Sequence, residues 1–535
     1  MKKPPPLAQP PALAMKKSTV AESASARKKP AAGAVPAVKK RASGGNAGRR
    51  PRKRARDGSC GADLINSLPD DILGTIVSLL PTKDAARTQA IARRWRPLWR
   101  STPLNIDADD ISTANSRYSS RRRGPRPPVS SIISRILSDH PGPVRRFDFR
   151  AMSRTAKRGN EKDAAQIESW LHSPSLDNLQ ELHIIFPFLI LPSNFGTHYQ
   201  LPSSVLLRFA STIVVATIGR CDFPNELAPS LSFPFLKHLT LCRVYISQDV
   251  FHGLFSACNV LETLILQESV YRASLHISSP TLRSIGFSKF YMDNKELVIE
   301  DTPHLEKMLC IDLCVETIRV NRAPKLEILG PLSPGSSNIQ IEKLVLQGLI
   351  PTSLSHSICS VNVLALAFSC TELDAVLDIL RFFPCLEKLY VTWNRSLMVQ
   401  MKNVRRYDPL DPIKCLQTRL KKLVMKNYKG DEQDVSFAKF FVLNAEVVKE
   451  IKFGVNKKIN KEWVADQHRL LGVENKASPD AHFKFILVSY FNVQFDTHDL
   501  SIADPFNKLF SYADGPLIIL GLHDVICLSS SHAGN

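Results

Sequence analysis

The chain has 535 residues, a length that exceeds what one compact core holds and predicts two to four modules. Its formal net charge of +20 is uneven: residues 1–56 hold 16 Lys and Arg against one acid, whereas the remaining 479 residues hold 54 basic and 49 acidic groups. The charge therefore belongs to a tail, and the nearly balanced remainder argues against a body that binds nucleic acid.

Several classes of protein are excluded by pattern. No apolar run approaches the ~20 residues of a membrane helix, and the N-terminus has no apolar stretch typical of a secretory signal. The 11 cysteines are scattered and form no CxxC pair, which favours reduced thiols in an intracellular protein over a disulfide scaffold or a zinc module. The sequence carries no phosphate-loop, metalloprotease or serine-hydrolase motif, so we expect no metal, no cofactor, no membrane partner and no catalytic residue.

Residues 1–58 are rich in Ala, Pro, Ser, Lys and Arg and contain no aromatic residue. Such a segment buries too little apolar surface to offset its chain entropy, so we predict that it is disordered. Two basic clusters favour recognition by an import receptor, and hence a protein of both nucleus and cytoplasm: Lys39, Lys40 and Arg41, then Arg50, Arg52, Lys53 and Arg54. A solvated tail, an organellar transit peptide and a tail that binds nucleic acid are the alternatives.

Residues 59–105 have the pattern of a short helical module. Pro69 and the two acids after it suit the start of a helix, whose apolar residues recur at helical spacing until Pro81: Ile72, Leu73, Ile76, Leu79 and Leu80. Thr82 is the predicted cap of a second helix over residues 83–92. A third segment, residues 93–100, places Trp95 and Trp99 on one face.

A module of this size has a small core, which seldom gives strong stability by itself. Part of its apolar surface is therefore a candidate for burial by a partner, and Trp is a typical anchor at such interfaces. Packing against the rest of the chain is the alternative, and the pattern alone favours neither.

The residues from Leu64 to Thr88 and from Arg93 to Trp99 resemble a plant F-box over almost the whole motif. The resemblance implies binding to a Skp-type adaptor, which bridges to a cullin scaffold in an SCF ubiquitin ligase. It also implies eight residues that face the adaptor or support that interface: Leu68, Pro69, Ile72, Leu73, Ile76, Leu80, Trp95 and Trp99.

Beyond a polar loop at residues 106–128, a unit of the form apolar-x-x-apolar-x-apolar recurs. Its copies begin at Val144, Leu179, Ile213, Leu236, Leu261, Leu282, Leu305, Leu326, Ile341, Val361, Leu386 and Leu420. Most steps lie near the ~20–29 residues of a leucine-rich repeat, whose units bury their leucines only by stacking on neighbours. We therefore predict an irregular leucine-rich-repeat solenoid over residues 129–384, with a mixed α/β domain as the alternative.

The side chains between the leucines of each predicted strand are expected on the concave side of the solenoid. Their chemistry is mixed, so most are expected to be ordinary surface and a few to contact a protein substrate. The candidates for that contact are His238, Thr240, Thr263, Gln267, Lys388 and Tyr390.

Residues 385–455 have the pattern of a strand, a helix and a strand, and they resemble the FBD domain that follows the repeats in many plant F-box proteins. We expect this block to cap the exposed edge of the last repeat. Residues 456–535 contain a helix-like stretch at 463–471 and weaker strands, and the sequence assigns them no role.

The predicted fold class is α/β: a disordered basic tail, a three-helix F-box, an irregular leucine-rich-repeat solenoid and an FBD-like cap. The predicted function is a non-enzymatic substrate receptor of an SCF-type ubiquitin ligase, with an unknown protein substrate. The alternatives are a leucine-rich-repeat scaffold unconnected to a ligase, and a nucleic-acid binder that uses the basic tail.

Overall fold

A computed structural model describes the chain between residues 64 and 508, and these residues belong to one compact unit. Inside that range it leaves out residues 66, 118–126, 151–160, 187–198, 226–230, 268–269, 272–274, 289–290, 293–295, 312–316, 334–337, 348–349, 352–356, 369–372, 394–411, 458, 488–499 and 501–502. The predictions of a disordered tail and of an import signal at Lys39–Arg41 and Arg50–Arg54 lie outside the described residues.

Three short helices open the described chain: α1 (Asp70–Leu79), α2 (Thr82–Thr88) and α3 (Trp95–Ser101). Asp70 and Asp71 lie in the first turn of α1, as the sequence predicts, and Pro69 stands at the N-cap, one residue before the first helical position. The second helix ends earlier than predicted, because the amides of Ala90 and Ile91 bond to carbonyls three residues back and form tight turns instead of a third helical turn.

The helices lead directly into a fourteen-stranded sheet, in which every neighbouring pair of described strands is parallel. In spatial order its strands are β1 (Leu104–Asp107), β2 (Val144–Phe149), β3 (Glu181–Ile185), β5 (Val215–Gly219), β7 (His238–Cys242), β8 (Thr263–Gln267), β11 (Ser284–Ser288), β14 (Lys307–Ile311), β16 (Ile328–Leu332), β20 (Val363–Phe368), β21 (Lys388–Trp393), β22 (Lys422–Lys426), β23 (Glu450–Val455) and β24 (His482–Leu487).

One face of this sheet, here the inner face, carries the leucines of the repeated unit and forms the main core. Helices cover much of it: α4 (Ala108–Arg117), α5 (Val129–Asp139), α6 (Glu161–Leu171), α7 (Ser203–Phe209), α8 (Gln248–Ser256), α9 (Leu373–Leu380), α10 (Lys414–Thr418), α11 (Glu432–Asn444) and α12 (Lys461–Leu471). The remaining described helix, α13 (Pro505–Lys508), lies elsewhere on the sheet.

In the middle repeats a second sheet takes the place of helices on the inner face. Its strands are β10 (Leu275–Ile277), β13 (Glu296–Ile299), β15 (Thr317–Val320), β17 (Asn338–Ile341), β18 (Leu344–Gln347) and β19 (Ile350–Pro351). Two short pairs complete the description, β4 (Tyr199–Gln200) with β6 (Cys221–Asp222) and β9 (Val270–Tyr271) with β12 (Tyr291–Met292). Side chains of the second sheet such as Leu297 and Ile318 pack into the same main core as the leucines.

Eleven of the twelve predicted units coincide with successive strands of the large sheet, from β2 to β22. The unit at Ile341 is wrong, because it spans the end of β17 and the antiparallel return strand β18, with Glu342 in a left-handed turn at φ 52°. Its step from Leu326 is 15 residues, shorter than a repeat needs to cross the core and return.

The strand–helix–strand prediction for the FBD-like block is confirmed by β22, α11 and β23. These strands continue the parallel sheet beyond the predicted border at residue 384, and β24 extends it by one more strand. The block therefore lengthens the solenoid, and the edge strand belongs to the C-terminal extension.

Candidate functional site

The three-helix module at the N-terminus has a small core of its own. Leu73 and Val77 from α1, Ala85 from α2 and Trp95 from α3 are all buried against one another. Leu68, Leu80 and Trp99 pack at the margin of this core and are half-buried. Two of the predicted interface residues, Leu73 and Trp95, are therefore placed where they support the module from within.

An ion pair fixes the start of α1 to the start of α3. The Nε of Arg94 lies 2.6 Å from Oδ1 of Asp70, and the same guanidinium donates to the carbonyl oxygen of Leu68 at 2.7 Å. Because the pair is largely exposed, its contribution to stability is small, about 0–1 kcal/mol. Its structural effect is to hold the Leu68–Pro69 opening of the motif beside the third helix.

Several apolar side chains of the three-helix module are exposed. Within the described residues, Leu64, Ile65, Ile72, Ile76, Leu79 and Ile91 are exposed, from 38% for Ile76 to 72% for Leu64. Single exposed apolar residues are ordinary, but a group on one small module is typical of an interaction site. Of the predicted adaptor residues, Pro69, Ile72 and Ile76 are exposed, and Leu79 and Ile91, which the prediction did not include, are exposed as well.

Trp99 connects the module to the first repeat. Its ring makes an edge contact with the ring of His140 at 4.8 Å, and its carbonyl oxygen lies 3.0 Å from Nε2 of that histidine. Asn105 in β1 makes a second connection, since its side-chain amide donates to the carbonyl of Ser78 at 2.6 Å. The module is thus held on the first edge of the sheet, and Trp99 acts in that attachment.

The outer face of the sheet, opposite the leucines, is not the open surface that the sequence suggested. Thr240, Thr263, Gln267 and Tyr390 are buried, and His238 and Lys388 are half-buried. These four positions were predicted to be exposed and available for contact with a substrate, and their burial corrects that expectation. The strand register also aligns an apolar row that the sequence did not reveal. Its first part is Ile265, Gly286, Leu309 and Gly330, its second part is Ala365, Tyr390 and Val424, and the register between β16 and β20 shifts where the two parts meet.

Residues from near the C-terminus cover this row. Leu500 and Phe506 are buried in one cluster with Ile265, Leu309 and other members of the row, separate from the main core. We call residues 500 and 503–508, which include α13, the strap. The ring of Phe506 lies 5.5 Å from that of Tyr390, and Pro505 beside it is buried.

Polar contacts of the strap converge on lysines of three strands. Lys388 Nζ lies 2.9 Å from Oδ2 of Asp504, and the hydroxyl of Tyr390 donates to the same oxygen at 2.8 Å. Lys307 donates to the carbonyl of Leu500, and Lys422 donates to the side-chain oxygen of Asn507, each at 2.8 Å. Burial, and then the charge of Asp504, raise the pKa of Tyr390 above its ordinary value, so its hydroxyl stays a donor.

The outer face beside the strap is rich in lysine. Glu450 in β23 holds Lys484 at 2.9 Å, Lys452 at 3.2 Å and Lys422 at 3.8 Å. Burial lowers the pKa of Lys422 and of Lys426, which lies four residues further along β22. The pKa of Glu450 is itself lowered: burial opposes this, but the hydrogen bonds from Lys484 and Lys452 outweigh it. This end of the face is chemically suited to a carboxylate ligand.

Within the described part of the chain, no group of His, Cys, Asp or Glu is arranged to hold a metal ion. The seven cysteines that the structure places are free thiols. Among the described helices, none has the length and apolar character that crossing a bilayer requires.

Three family models match the chain in the order of its structural parts. The F-box domain model matches residues 65–107, a model described as FBD-associated F-box protein At5g56370, LRR repeats, matches residues 167–391, and the FBD model matches residues 408–453. Together these ranges cover more than half of the 535 residues.

Relatives that bear the same domain names occur in Arabidopsis thaliana. F-box/LRR-repeat protein At1g06630 is 26% identical over 380 residues, which are 70% of this chain and 87% of the relative. F-box/LRR-repeat protein At3g60040 is 26% identical over 397 residues, 71% of this chain and 82% of the relative. F-box/LRR-repeat protein At3g59190 is 28% identical over 261 residues, 47% and 62% of the two chains.

The parallel repeat sheet with an N-terminal helical module defines a leucine-rich-repeat protein of α/β class. The matched models show that the chain carries an F-box domain, LRR repeats and an FBD in this order, and that it is similar to plant proteins named F-box/LRR-repeat and F-box/FBD/LRR-repeat.

Proposed function

We propose that this protein is the substrate-recognition subunit of an SCF-type ubiquitin ligase. In this proposal the F-box binds a Skp-type adaptor, the adaptor connects to a cullin scaffold, and the repeats bind a protein substrate. The chain supplies no chemistry of its own. It raises the effective concentration of substrate beside a ubiquitin-loaded enzyme, which converts a bimolecular encounter into a local one.

The observation that carries the proposal is the exposed apolar side of a module whose own core is complete. Leu73 and Trp95 are sealed inside, so the module is preformed, while Ile72, Ile76 and Leu79 stay exposed on the same helix. A preformed apolar surface on a rigid element binds a partner without a folding cost. This surface fits an adaptor better than it fits packing against the protein's own repeats, to which the module is attached through Trp99.

Capture of the full chain by a purified Skp-type adaptor tests the proposal. We expect Ile72→Glu with Ile76→Glu to weaken capture by at least about tenfold, because two charges would be placed in an apolar interface. The matched control is Leu207→Glu with Leu470→Glu, which alters two exposed leucines, 44% and 45% accessible, outside the F-box. The proposal fails if wild type does not bind or if both double variants bind equally.

We also propose that the basic tail directs part of the protein to the nucleus through an import receptor. Replacement of Lys39, Lys40, Arg41, Arg50, Arg52, Lys53 and Arg54 by Ala should move a fluorescent fusion toward the cytoplasm. The tail offers a control of equal charge outside the clusters, with Ala at Lys2, Lys3, Lys16, Lys17, Arg27, Lys28 and Lys29. An identical distribution of the two variants would contradict an import signal in the clusters.

A further inference from the structure

We propose that the outer face of the sheet is the substrate-binding face and that the strap of the same chain occupies it. A substrate displaces the strap with a segment of the same chemistry. That segment has an acidic side chain followed two residues later by an aromatic ring, as Asp504 and Phe506 are spaced. The inference rests on the proposed function only in calling the displacing protein a substrate.

The strap occupies the face without being needed to complete the sheet. Strands β8 to β22 each pair with neighbours on both sides, and their leucines are buried on the inner face in the main core. The strap adds only Leu500 and Phe506 to a smaller cluster, which shares no residue with the main core. Removal of the strap would therefore expose the apolar row but leave the backbone pairing and the inner packing in place.

The face selects an acidic and aromatic segment for two physical reasons. Lys388 and Tyr390 direct an ammonium group and a hydroxyl at one carboxylate oxygen of Asp504, and charge-assisted hydrogen bonds of this kind are the strong ones. Phe506 lies against the Tyr390 ring, and the Lys422 ammonium lies 5.7 Å from the centre of that ring. An aromatic partner is thereby bound beside a cation and an aromatic ring.

The peptide backbone of the occupant is also recognised. Lys307 in β14 donates to the carbonyl oxygen of Leu500. Two strands, β16 and β20, separate it from Lys388 and Tyr390 in β21. Leu500 itself packs against Ile265 and above Gly286. The bound segment is thus held at both ends, by an aliphatic residue near β11 and by the acidic and aromatic pair near β21. A short linear segment of an unfolded or loop region fits this arrangement.

An internal occupant changes how tightly an outside segment binds. Tethering gives the strap a local concentration in the millimolar range, so it competes with any free ligand. The apparent affinity of a ligand falls in proportion to the fraction of molecules in which the face is open. Weakening the strap should therefore strengthen binding in trans, whereas a face with no role in binding would show no such change.

The experiment measures binding of a fluorescent peptide with the sequence of residues 498–510 to the full chain. We expect the release variant, Asp504→Ala with Phe506→Ala, to bind it at least about tenfold tighter than wild type does. In the release variant, Lys388→Ala should weaken binding about tenfold or more. Lys421→Ala is the matched control, since this lysine pairs with Glu387 and not with the strap, and it should leave binding unchanged.

A second peptide that carries Asp504→Asn and Phe506→Ala should bind neither protein. In wild type, saturation with the first peptide should increase amide hydrogen exchange at residues 503–508 and leave β21 and β22 protected. Equal binding to wild type and release variant, or no binding to the release variant, would overturn the proposal. So would loss of protection throughout β8–β22 in the release variant, because the strap would then be a fixed part of the fold.

The adaptor takes no part in these measurements, so the two proposals fail separately. A protein that captures the adaptor but shows no peptide competition keeps the proposed function and loses this inference. If the peptide competes with the strap but the chain never captures an adaptor, this inference stands and the proposed function fails.

Discussion

The hydroxyl of Tyr390 donates a 2.8 Å hydrogen bond to Oδ2 of Asp504, a residue 114 positions further along the chain. Tyr390 stands in the middle of strand β21, on the face that the leucines do not use. The bond therefore joins the outer face of the sheet, where the sequence predicts substrate contact, to the C-terminal extension, to which the sequence assigns no role.

Tyr390→Phe should loosen the strap without disturbing the sheet, because the ring is kept and only the donor to Asp504 is lost. A buried acceptor that loses one partner costs about 1–3 kcal/mol, so amide exchange at Asn507 should rise by roughly five- to hundredfold. Tyr428→Phe is the control: it removes a buried hydroxyl that bonds to Gln467 at 2.6 Å, and Tyr428 lies in the main core, which shares no residue with the cluster of the strap. Equal exchange at Asn507 in both variants would contradict the assignment.

Leu73→Ala and Ile76→Ala should separate stability from recognition in the F-box. Leu73 is fully buried in the module, so its truncation should destabilise α1 and α3 by about 2–5 kcal/mol. Ile76 is exposed, and its truncation should change stability by no more than about 0.5 kcal/mol while it weakens capture of the adaptor. Amide exchange of the three helices measures the first effect and adaptor capture measures the second.

Most of the sheet could be predicted from the sequence because the repeat pattern is local. The apolar residues that indicate each strand lie within six consecutive positions. Stacking of successive units then sets the parallel register of the strands. The unit at Ile341 failed because a hairpin of the second sheet imitates the same spacing, and only its short step from Leu326 gave a signal.

The occupied outer face could not be predicted in the same way. Its apolar row comes from single residues on seven strands, such as Ile265 and Val424, and becomes a row only when the register is known. Its cover comes from contacts of very long range, since Lys307 and Leu500 are 193 residues apart. The strap has no periodic sequence pattern that indicates contact with the sheet, so its position cannot be predicted from the local sequence.

Asp148 should contribute to the loss of stability in acid. Its pKa is lowered: burial would raise it, but the hydrogen bond and charge of Arg150 and the charges of His183 and Arg146 outweigh burial. The stabilisation is therefore present above the unfolded value near 3.8 and is lost as the pH falls through the lower folded pKa. Asp148→Asn should reduce the fall in urea midpoint between about pH 5 and about pH 3.

The control for this measurement is Asp84→Asn, because Asp84 is half-exposed on α2 and pairs with the similarly exposed Arg87. The exposed ion pair of Asp84 contributes little to stability, so the urea midpoint of Asp84→Asn should change with pH as that of wild type does. If Asp148→Asn and wild type lose stability in parallel over the same range, the buried ion pairs of Asp148 do not drive the acid effect.

Thiol labelling should distinguish the cysteines of the main core from the one that the structure exposes. Burial raises the pKa of Cys310 and of Cys415 to about 12, so at neutral pH neither forms the thiolate that reacts with iodoacetamide. Cys359 is exposed and should be alkylated before Cys310 and Cys415. Peptide mapping by mass spectrometry after a short reaction should find modification at Cys359 and none at Cys310 or Cys415 until urea unfolds the chain. Early modification of Cys310 would mean that the main core between β14 and its neighbours opens far more readily than the burial of its leucines implies.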